Sequence, residues 1–184
     1  PDYYGKYFIL NDLTHEGGLT AIRIEGPSNS VDQRLERLSK ELGLIDQEFS
    51  IIDNEQSNIF WNRTKNLEVF KSLKSNLLRI VVPISETLQV IQKLKNHDIK
   101  YFIDWGGSLI WASFDQLNAK ILREIKELLK KHHGYITLIK IEEDLKASAD
   151  IFTIDPIKYK ISEKIKRSFD PKRIFNPGKM YTGI

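Results

Sequence analysis

Two arginines stand in the middle of apolar segments that have the pattern of β-strands. Arg23 lies within the run Ala-Ile-Arg-Ile-Glu, and Arg79 lies within the run Leu-Arg-Ile-Val-Val. A guanidinium fixed on a strand can bind a carboxylate or a phosphate through two parallel hydrogen bonds. The sequence leaves a second interpretation open, in which each arginine is an exposed strand residue or pairs with an internal acid such as Glu25 or Asp104.

Most other site chemistries are excluded by motifs that the sequence lacks. It contains no glycine-rich dinucleotide or P-loop motif, no HExxH, no GxSxG and no EF-hand loop. The absence of cysteine excludes disulfides, thiolate metal sites and cysteine nucleophiles. His15 and His97 are isolated, and His132 and His133 would point about 100° apart on a helix, so no metal site is predicted.

The composition is typical of a soluble globular domain. The chain has 184 residues, of which 41% are hydrophobic and 29% charged, enough to form a core without disulfides. No apolar run approaches the roughly 20 residues of a membrane span, and no basic-then-apolar leader opens the chain, so we expect a cytoplasmic protein. The net charge of +3 is concentrated in the C-terminal third. We interpret the lysines of this third as the solvated faces of helices, and we expect no nucleic-acid binding.

The order of the local patterns predicts an α+β fold. Residues 77–141 alternate short apolar runs with helical periodicity in the order βαββαβ, which is the order of a ferredoxin-like unit. Residues 19–70 add a smaller N-terminal βαβ extension. No linker composition marks a boundary, so we predict a single domain over 1–184, in which an extended antiparallel sheet has its helices on one face.

A glycine pair predicts a hairpin in the middle of this unit. Gly106 and Gly107 permit a two-residue turn because both can take positive φ, and such a turn would place Trp105 opposite Ser108. One predicted face of the hairpin carries Tyr101, Ile103, Trp105 and Ile110, and the other carries Phe102, Asp104, Leu109 and Trp111. Since both faces are apolar, we expect helices on one and a partner domain or a ligand on the other.

The C-terminal loop contains the most specific motif. A helix over 157–169 ends before Pro171, and two proline turns follow that carry large apolar side chains. The string Phe169-Asp170-Pro171, followed by Phe175-Asn176-Pro177-Gly178-Lys179-Met180-Tyr181, resembles the C-terminal signature of FAD-linked oxidases of the vanillyl-alcohol oxidase superfamily. Within that superfamily it is most similar to the FAD-binding subunits of bacterial glycolate oxidases. The other segments that agree in order and spacing are the strand ending Arg23-Ile24-Glu25-Gly26, Leu78–Pro83, the Ile103–Gly107 hairpin with Trp111, and Gly134 with Thr137.

The resemblance implies a C-terminal cap, or substrate, domain of an oxidoreductase. FAD would be bound mainly by an N-terminal domain absent from this chain, which fits a chain that starts at Pro1 and has its single methionine at Met180. A 2-hydroxy acid such as glycolate would lose a hydride to the flavin. The implied partners are the N-terminal FAD-binding domain, a sister flavoprotein subunit and an iron–sulfur subunit, whose complex would be cytoplasmic or peripheral on the inner membrane. With no cysteine here, any iron–sulfur centre lies on another chain.

The resemblance also implies site residues, although it assigns no catalytic residue. The candidates on the substrate or flavin side are Arg23, Arg79, Asp104, Trp105, Gly106, Gly107, Trp111 and Tyr135. The candidates for contact with the FAD-binding domain are Asn176, Pro177, Gly178 and Lys179. The isolated chain is expected to be inactive.

Two alternatives stay open at this point. The catalytic motif of the sister subunit is absent, and His133 stands where the family often has glycine. The chain could therefore belong to a non-catalytic assembly or electron-transfer subunit that docks a catalytic flavoprotein partner. An amino-acid-sensing regulatory domain would share the same strand order.

Overall fold

The computed structural model describes residues 3–11, 19–41, 49–71, 76–142, 145, 153, 155–178 and 181. At positions 3–11, 19 and 49 the description covers the backbone alone. The chain divides into two compact units, Pro1–Val69 and Phe70–Ile184.

The first unit contains a three-stranded antiparallel sheet and two helices. Its elements are β1 (Tyr3–Asn11), β2 (Leu19–Pro27), α1 (Ser28–Glu41), β3 (Phe49–Ile52) and α2 (Asn54–Lys65). Strand β1 lies in the middle of the sheet and pairs with both β2 and β3. Helix α1 buries Val31 and Leu35 together with Ile24 of β2, because residues four apart lie on the same helical face.

The second unit contains a four-stranded antiparallel sheet. Its elements are β4 (Asn76–Val81), α3 (Ile84–Leu94), β5 (Ile99–Asp104), β6 (Leu109–Phe114), α4 (Ala119–Lys131), β7 (Tyr135–Lys140) and α5 (Pro156–Phe169). The strand order is β5-β6-β4-β7, and every neighbouring pair is antiparallel. The predicted α+β fold with a ferredoxin-like βαββαβ unit is therefore confirmed.

The N-terminal extension differs from the prediction in one respect. In the described residues its strands form a sheet of their own and do not lengthen the four-stranded sheet. The nine-residue strand β1 organises this separate sheet, because it pairs with β2 on one edge and with β3 on the other. Both edges of the extension's central strand are thereby occupied within the first unit.

Helices α3 and α4 cover one face of the four-stranded sheet, as predicted. The side chains on this face are almost completely buried, and they include Leu78, Ile80, Ile110, Ala112, Phe114, Ile136 and Leu138. The helices contribute Val90, Ile91 and Leu94 from α3 and Leu122, Ile125 and Leu129 from α4. This core fixes β4, so residues at alternate positions along β4 must point to the opposite face.

Helix α4 begins after an asparagine cap, and not at Asp115. Asn118 caps the helix, since its Oδ1 accepts a hydrogen bond from the Ile121 amide at 2.9 Å. Asp115, whose side chain is also of a type that caps helices, lies three residues earlier. Leu117 is 5% exposed, and the chain turns over residues 115–118 to bury it before the helix begins.

The end of α4 uses a histidine where glycine is usual. His133 has φ +55, in the left-handed region that normally favours glycine after a helix. The following Gly134 donates from its amide to the Leu129 carbonyl at 2.7 Å. The residue that adopts the left-handed conformation is therefore His133 and not Gly134.

Replacing His133 with glycine is expected to stabilise the protein. The left-handed conformation costs a residue with a side chain about 1 kcal/mol or more, and part of this gain is lost to the greater freedom of glycine in the unfolded chain. We expect H133G to raise the free energy of unfolding by about 0.5 kcal/mol, measured by urea denaturation. A lower urea midpoint for H133G would contradict this account.

Candidate functional site

The sheet face opposite α3 and α4 brings together most of the predicted site residues of the second unit. Side chains directly opposite each other on paired strands share a face. One such row runs across all four strands and consists of Phe102, Trp111, Arg79 and Thr137. The next row on the same face consists of Asp104, Leu109, Val81 and Tyr135. Arg79 therefore lies near the centre of this face, which we call the Arg79 face.

The guanidinium of Arg79 stacks on an aromatic ring. Its Cζ atom lies 4.8 Å from the centroid of the Trp105 ring, within the range of a cation–π contact. Arg79 is half-buried, and Trp105 is 58% exposed. No hydrogen bond or ion pair within the described part of the chain involves Arg79. The N–H groups of this cation can therefore donate to a ligand.

A tight turn places Trp105 over Arg79. Residues Trp105–Gly107 form a short 3₁₀ turn in which φ is +54, +61 and +114 at successive positions. The Asp104 carboxylate accepts a hydrogen bond from the Trp105 amide at 2.7 Å. Both glycines take positive φ, as predicted.

The hairpin register is confirmed, with one correction at the turn. The pairs from Asp104 with Leu109 to Tyr101 with Ala112 lie as predicted. The predicted pairing of Trp105 with Ser108 as strand residues is wrong, because both belong to the turn. Trp105 also leaves the face of Ile103 and lies against Arg79, since its own φ is positive and redirects the chain.

Aromatic rings line one end of the Arg79 face. The Phe70 and Phe102 rings stack with centroids 5.7 Å apart and an interplanar angle of 14°. The Phe102 and Trp111 rings follow at 6.5 Å. Phe70 was missed by sequence reasoning, since only its aromatic character could have signalled it. Tyr135 lies on β7, the edge strand opposite β5, and is 47% exposed.

Arg23 has a different environment from Arg79. In the first unit, its guanidinium forms an ion pair with Glu25, which is the pairing that the sequence left open. Its Cζ atom also lies 5.8 Å from the centroid of the Trp61 ring. An arginine already paired with a carboxylate has less to offer a second anion, so Arg79 is the stronger candidate for binding one.

The C-terminal loop is organised around a buried carboxylate. Asp170 is 6% exposed and accepts hydrogen bonds from the amides of Ile174 and Phe175, each at 2.9 Å. The Lys166 ammonium lies 2.7 Å from the same carboxylate. These donors, Lys166 foremost, lower the pKa of Asp170 to about 2. The aspartate of the signature thus closes the loop onto the end of α5.

The predicted contact loop beyond Asp170 is exposed. Asn176 and Gly178 adopt positive φ of +45 and +68, and Asn176, Pro177 and Gly178 all face solvent. Lys179 lies outside the described residues. Positive φ at Asn176 and Gly178 on either side of Pro177 gives the motif a fixed bend, which Lys166 supports by donating to the Phe175 carbonyl at 2.5 Å.

Helix α5 carries its apolar residues on its exposed side. The apolar side chains recur every four residues, and the exposed fractions are 69% for Ile157, 52% for Ile161, 55% for Ile165 and 83% for Phe169. Residues at this spacing form one stripe along a helix. Ile174 and Phe175 of the loop are each 67% exposed. We call these six residues the C-terminal apolar surface.

Replacing Asp170 with asparagine is expected to loosen the loop and remove its pH dependence. A pKa of about 2, below the ordinary value of 3.8, means that the charged carboxylate stabilises the folded loop. Its contribution is complete above pH 4 or so and is lost as the pH falls through about 2. The wild-type amide resonances of Ile174 and Phe175 should titrate at that midpoint, whereas D170N should show no such titration.

A matched control for D170N lies at the other end of the same helix. Asp155 caps α5 by accepting from the Ile157 amide at 2.8 Å. D155N should leave the Ile174 and Phe175 amides unchanged. A wild-type loop that titrates near pH 4 would contradict the role given to Lys166.

Two comparisons with known proteins bear on this site. The family model of the C-terminal domain of FAD-linked oxidases matches residues 152–180, which comprise α5 and the loop. Over 166 residues the chain is 26% identical to the glycolate oxidase subunit GlcE of Escherichia coli (strain K12). The resemblance to FAD-linked oxidases is confirmed. FAD is the cofactor that this similarity indicates.

The extent of the FAD-linked oxidase match differs between the two comparisons. The family model covers only the C-terminal segment, whereas the alignment with GlcE covers 89% of this chain. The chain spans 39% of the length of GlcE. Within the described residues, no group of three or more histidine or acidic side chains could hold a metal ion. In the same residues no helix is long and apolar enough to cross a membrane.

Proposed function

We propose that this chain is the cap domain of an FAD-dependent oxidoreductase subunit that acts on 2-hydroxy acids. FAD would be bound mainly by an FAD-binding domain of the same protein that precedes this chain. The observation that carries the proposal is Arg79, a half-buried guanidinium that stacks on Trp105 and has no acidic partner in the described part of the second unit. The sequence similarity to FAD-linked oxidases also supports the proposal.

The Arg79 face suits a small carboxylate substrate next to a flat ring. A guanidinium binds a carboxylate through two parallel hydrogen bonds. The cation–π contact with Trp105 restricts where the guanidinium can lie and contributes about 0.5–1 kcal/mol. The flat rings of Phe102, Trp105 and Trp111 offer apolar surface of the kind that an isoalloxazine ring contacts. FAD, when bound, supplies the acceptor for the substrate's hydride, and the protein groups orient the substrate.

The C-terminal apolar surface suits a docking site for the FAD-binding domain. Its four α5 members are each more than half exposed, and isolated soluble domains seldom leave such a row of large apolar side chains uncovered. The bend through Asn176, Pro177 and Gly178 continues from this surface. We propose that the α5 stripe packs against the FAD-binding domain and that Asn176–Lys179 contact it.

The test of the cofactor assignment compares the full-length protein with this chain. The full-length protein should purify with the visible absorption of oxidised flavin, and this chain alone should purify without it. Anaerobic addition of glycolate or either lactate enantiomer should bleach the flavin of the full-length protein. A full-length protein that folds and retains no flavin would overturn the proposal.

A second candidate function is a non-catalytic assembly module that docks a catalytic flavoprotein subunit. The C-terminal apolar surface favours it as well, because a partner subunit could cover the same residues. The two candidates differ in the reduction experiment. Under this alternative, 2-hydroxy acids would bleach the flavin of the full-length protein only after the sister subunit is added.

A further inference from the structure

Helix α3 contacts the turn that carries Trp105, and we call the side of the turn that faces α3 its inner side. The Thr87 hydroxyl donates to the carbonyl of Gly107, twenty residues away along the chain. Its other neighbouring acceptor, the Pro83 carbonyl, lies at 3.4 Å. A hydroxyl has a single proton to donate, and the much closer Gly107 carbonyl takes it. Thr87 is 6% exposed, so water does not compete freely for this bond.

Two further contacts join the same turn to the start of α3. The Val82 amide donates to the Ser108 carbonyl at 3.0 Å. A methyl group of Ile84 lies 3.5 Å from the place where a side chain at position 107 would begin. The inner side of the turn is therefore packed, whereas Trp105 on its outer side is mostly exposed and leans on Arg79.

The first turn of α3 is itself anchored to the end of α4. The Glu86 carboxylate lies 2.5 Å from Nδ1 of His132, and His132 is 9% exposed. The adjacent residues Glu86 and Thr87 thus make two different side-chain contacts. Glu86 holds α3 to α4, and Thr87 holds the hairpin turn to α3.

The glycine turn needs a hydrogen bond such as the one from Thr87 to hold its conformation. Gly106 and Gly107 have φ of +61 and +114, and no atom lies within 4 Å of a side-chain position at Gly106. The peptide that carries the Gly107 carbonyl follows a glycine, which places few steric limits on its rotation. Its orientation must come from the hydrogen bonds that its carbonyl and its neighbours make.

We propose that Thr87 is a positioning residue for the Arg79 face. Its hydroxyl fixes the Gly107 peptide, and the fixed turn keeps the Trp105 ring stacked on the Arg79 guanidinium. Thr87 itself lies on the opposite side of the turn and does not touch the ligand. The last step, an effect on substrate binding, rests on the proposed function.

The test removes the hydroxyl while keeping the shape of the side chain. In Thr87→Val the hydrogen bond is lost, and in Thr87→Ser it is kept. The ring current of Trp105 acts on the Nε–Hε resonance of Arg79, which NMR can observe in this chain. We expect T87V to move that resonance toward its position in a Trp105→Leu variant, and T87S to leave it in place. Wild-type Arg79 and Trp105 resonances in T87V would overturn the proposal.

A kinetic measurement separates this inference from the proposed function. In the full-length flavoprotein, T87V should raise the KM for glycolate by about tenfold with little change in kcat, since one positioning hydrogen bond is lost. A shifted Arg79 resonance with an unchanged KM would support the positioning role and overturn the binding role of Arg79. If T87V does not fold, Thr87→Ala compared with T87S gives the same two readouts.

Discussion

Replacing Arg79 with methionine in the full-length protein is expected to lower kcat/KM for its 2-hydroxy acid by about 100-fold or more. Hydrogen bonds to charged groups contribute about 1.5–3 kcal/mol each, and a carboxylate held by two of them loses both in R79M. Methionine keeps much of the apolar stem, so the sheet should still fold. Steady-state oxidation of the substrate with an artificial electron acceptor measures the loss.

Two further variants make the Arg79 result specific. R79K keeps the positive charge but loses the paired donors and the contact of the guanidinium with the Trp105 ring, so its activity should lie between wild type and R79M. R23M removes an arginine that already pairs with Glu25, and its kcat/KM should stay within about threefold of wild type. Equal losses in R79M and R23M would contradict the distinction between the two arginines.

Replacing Gly134 with alanine is expected to destabilise the second unit by about 3 kcal/mol. A β-carbon at this position would lie 2.5 Å from Cγ1 of Val82, 3.0 Å from the Val81 carbonyl oxygen and 3.1 Å from a Leu129 methyl. Val82 and Leu129 are buried, so neither can move without disturbing the core, and overpacking of this kind typically costs about 1–3 kcal/mol. Urea denaturation of the chain measures the change.

Gly106 provides the matched control for Gly134. It has φ +61 but open space around its α-carbon, so Gly106→Ala adds backbone strain without a steric overlap. We expect a loss of about 1 kcal/mol for G106A. If G134A costs no more than G106A, β7 does not need the close approach that the structure shows.

The order of strands and helices along the second unit could be predicted from local pattern, because each element shows its pattern within a short run of residues. Short apolar runs separated by helical periodicity indicated βαββαβ, and the glycine pair set the register from Asp104 to Tyr101. The chain needs only a turn at Gly106 and Gly107 to bring these strands into that register. Local chemistry and the final structure agree there.

The surroundings of the two arginines show where local pattern is insufficient. Arg23 and Glu25 are two residues apart on one strand, so their pairing was among the possibilities that the sequence offered. The stacking of Arg79 on Trp105 depends on β6 lying beside β4 and on three successive positive φ angles in the turn. No residue near Arg79 in the sequence carries that information.

The same limit applies to positions that depend on burial. Asp115 and Asn118 are both of a residue type that caps helices, and Asn118 is the cap because Leu117 is buried before α4 begins. Phe70 joins the Arg79 face from a turn that precedes the whole sheet. In both cases the position is decided by a contact with the assembled sheet.

The place of β4 between β6 and β7 gives the two halves of the Arg79–Trp105 pair different freedom to move. Strand β4 is hydrogen-bonded to β6 on one side and to β7 on the other, so the Arg79 amide should exchange with solvent only when the sheet opens as a whole. Trp105 lies after the edge strand β5 and is 58% exposed, so the ring can move while the turn stays in place. We expect substrates with bulkier side chains to be admitted by movement of the tryptophan, while the position of the bound carboxylate stays constant.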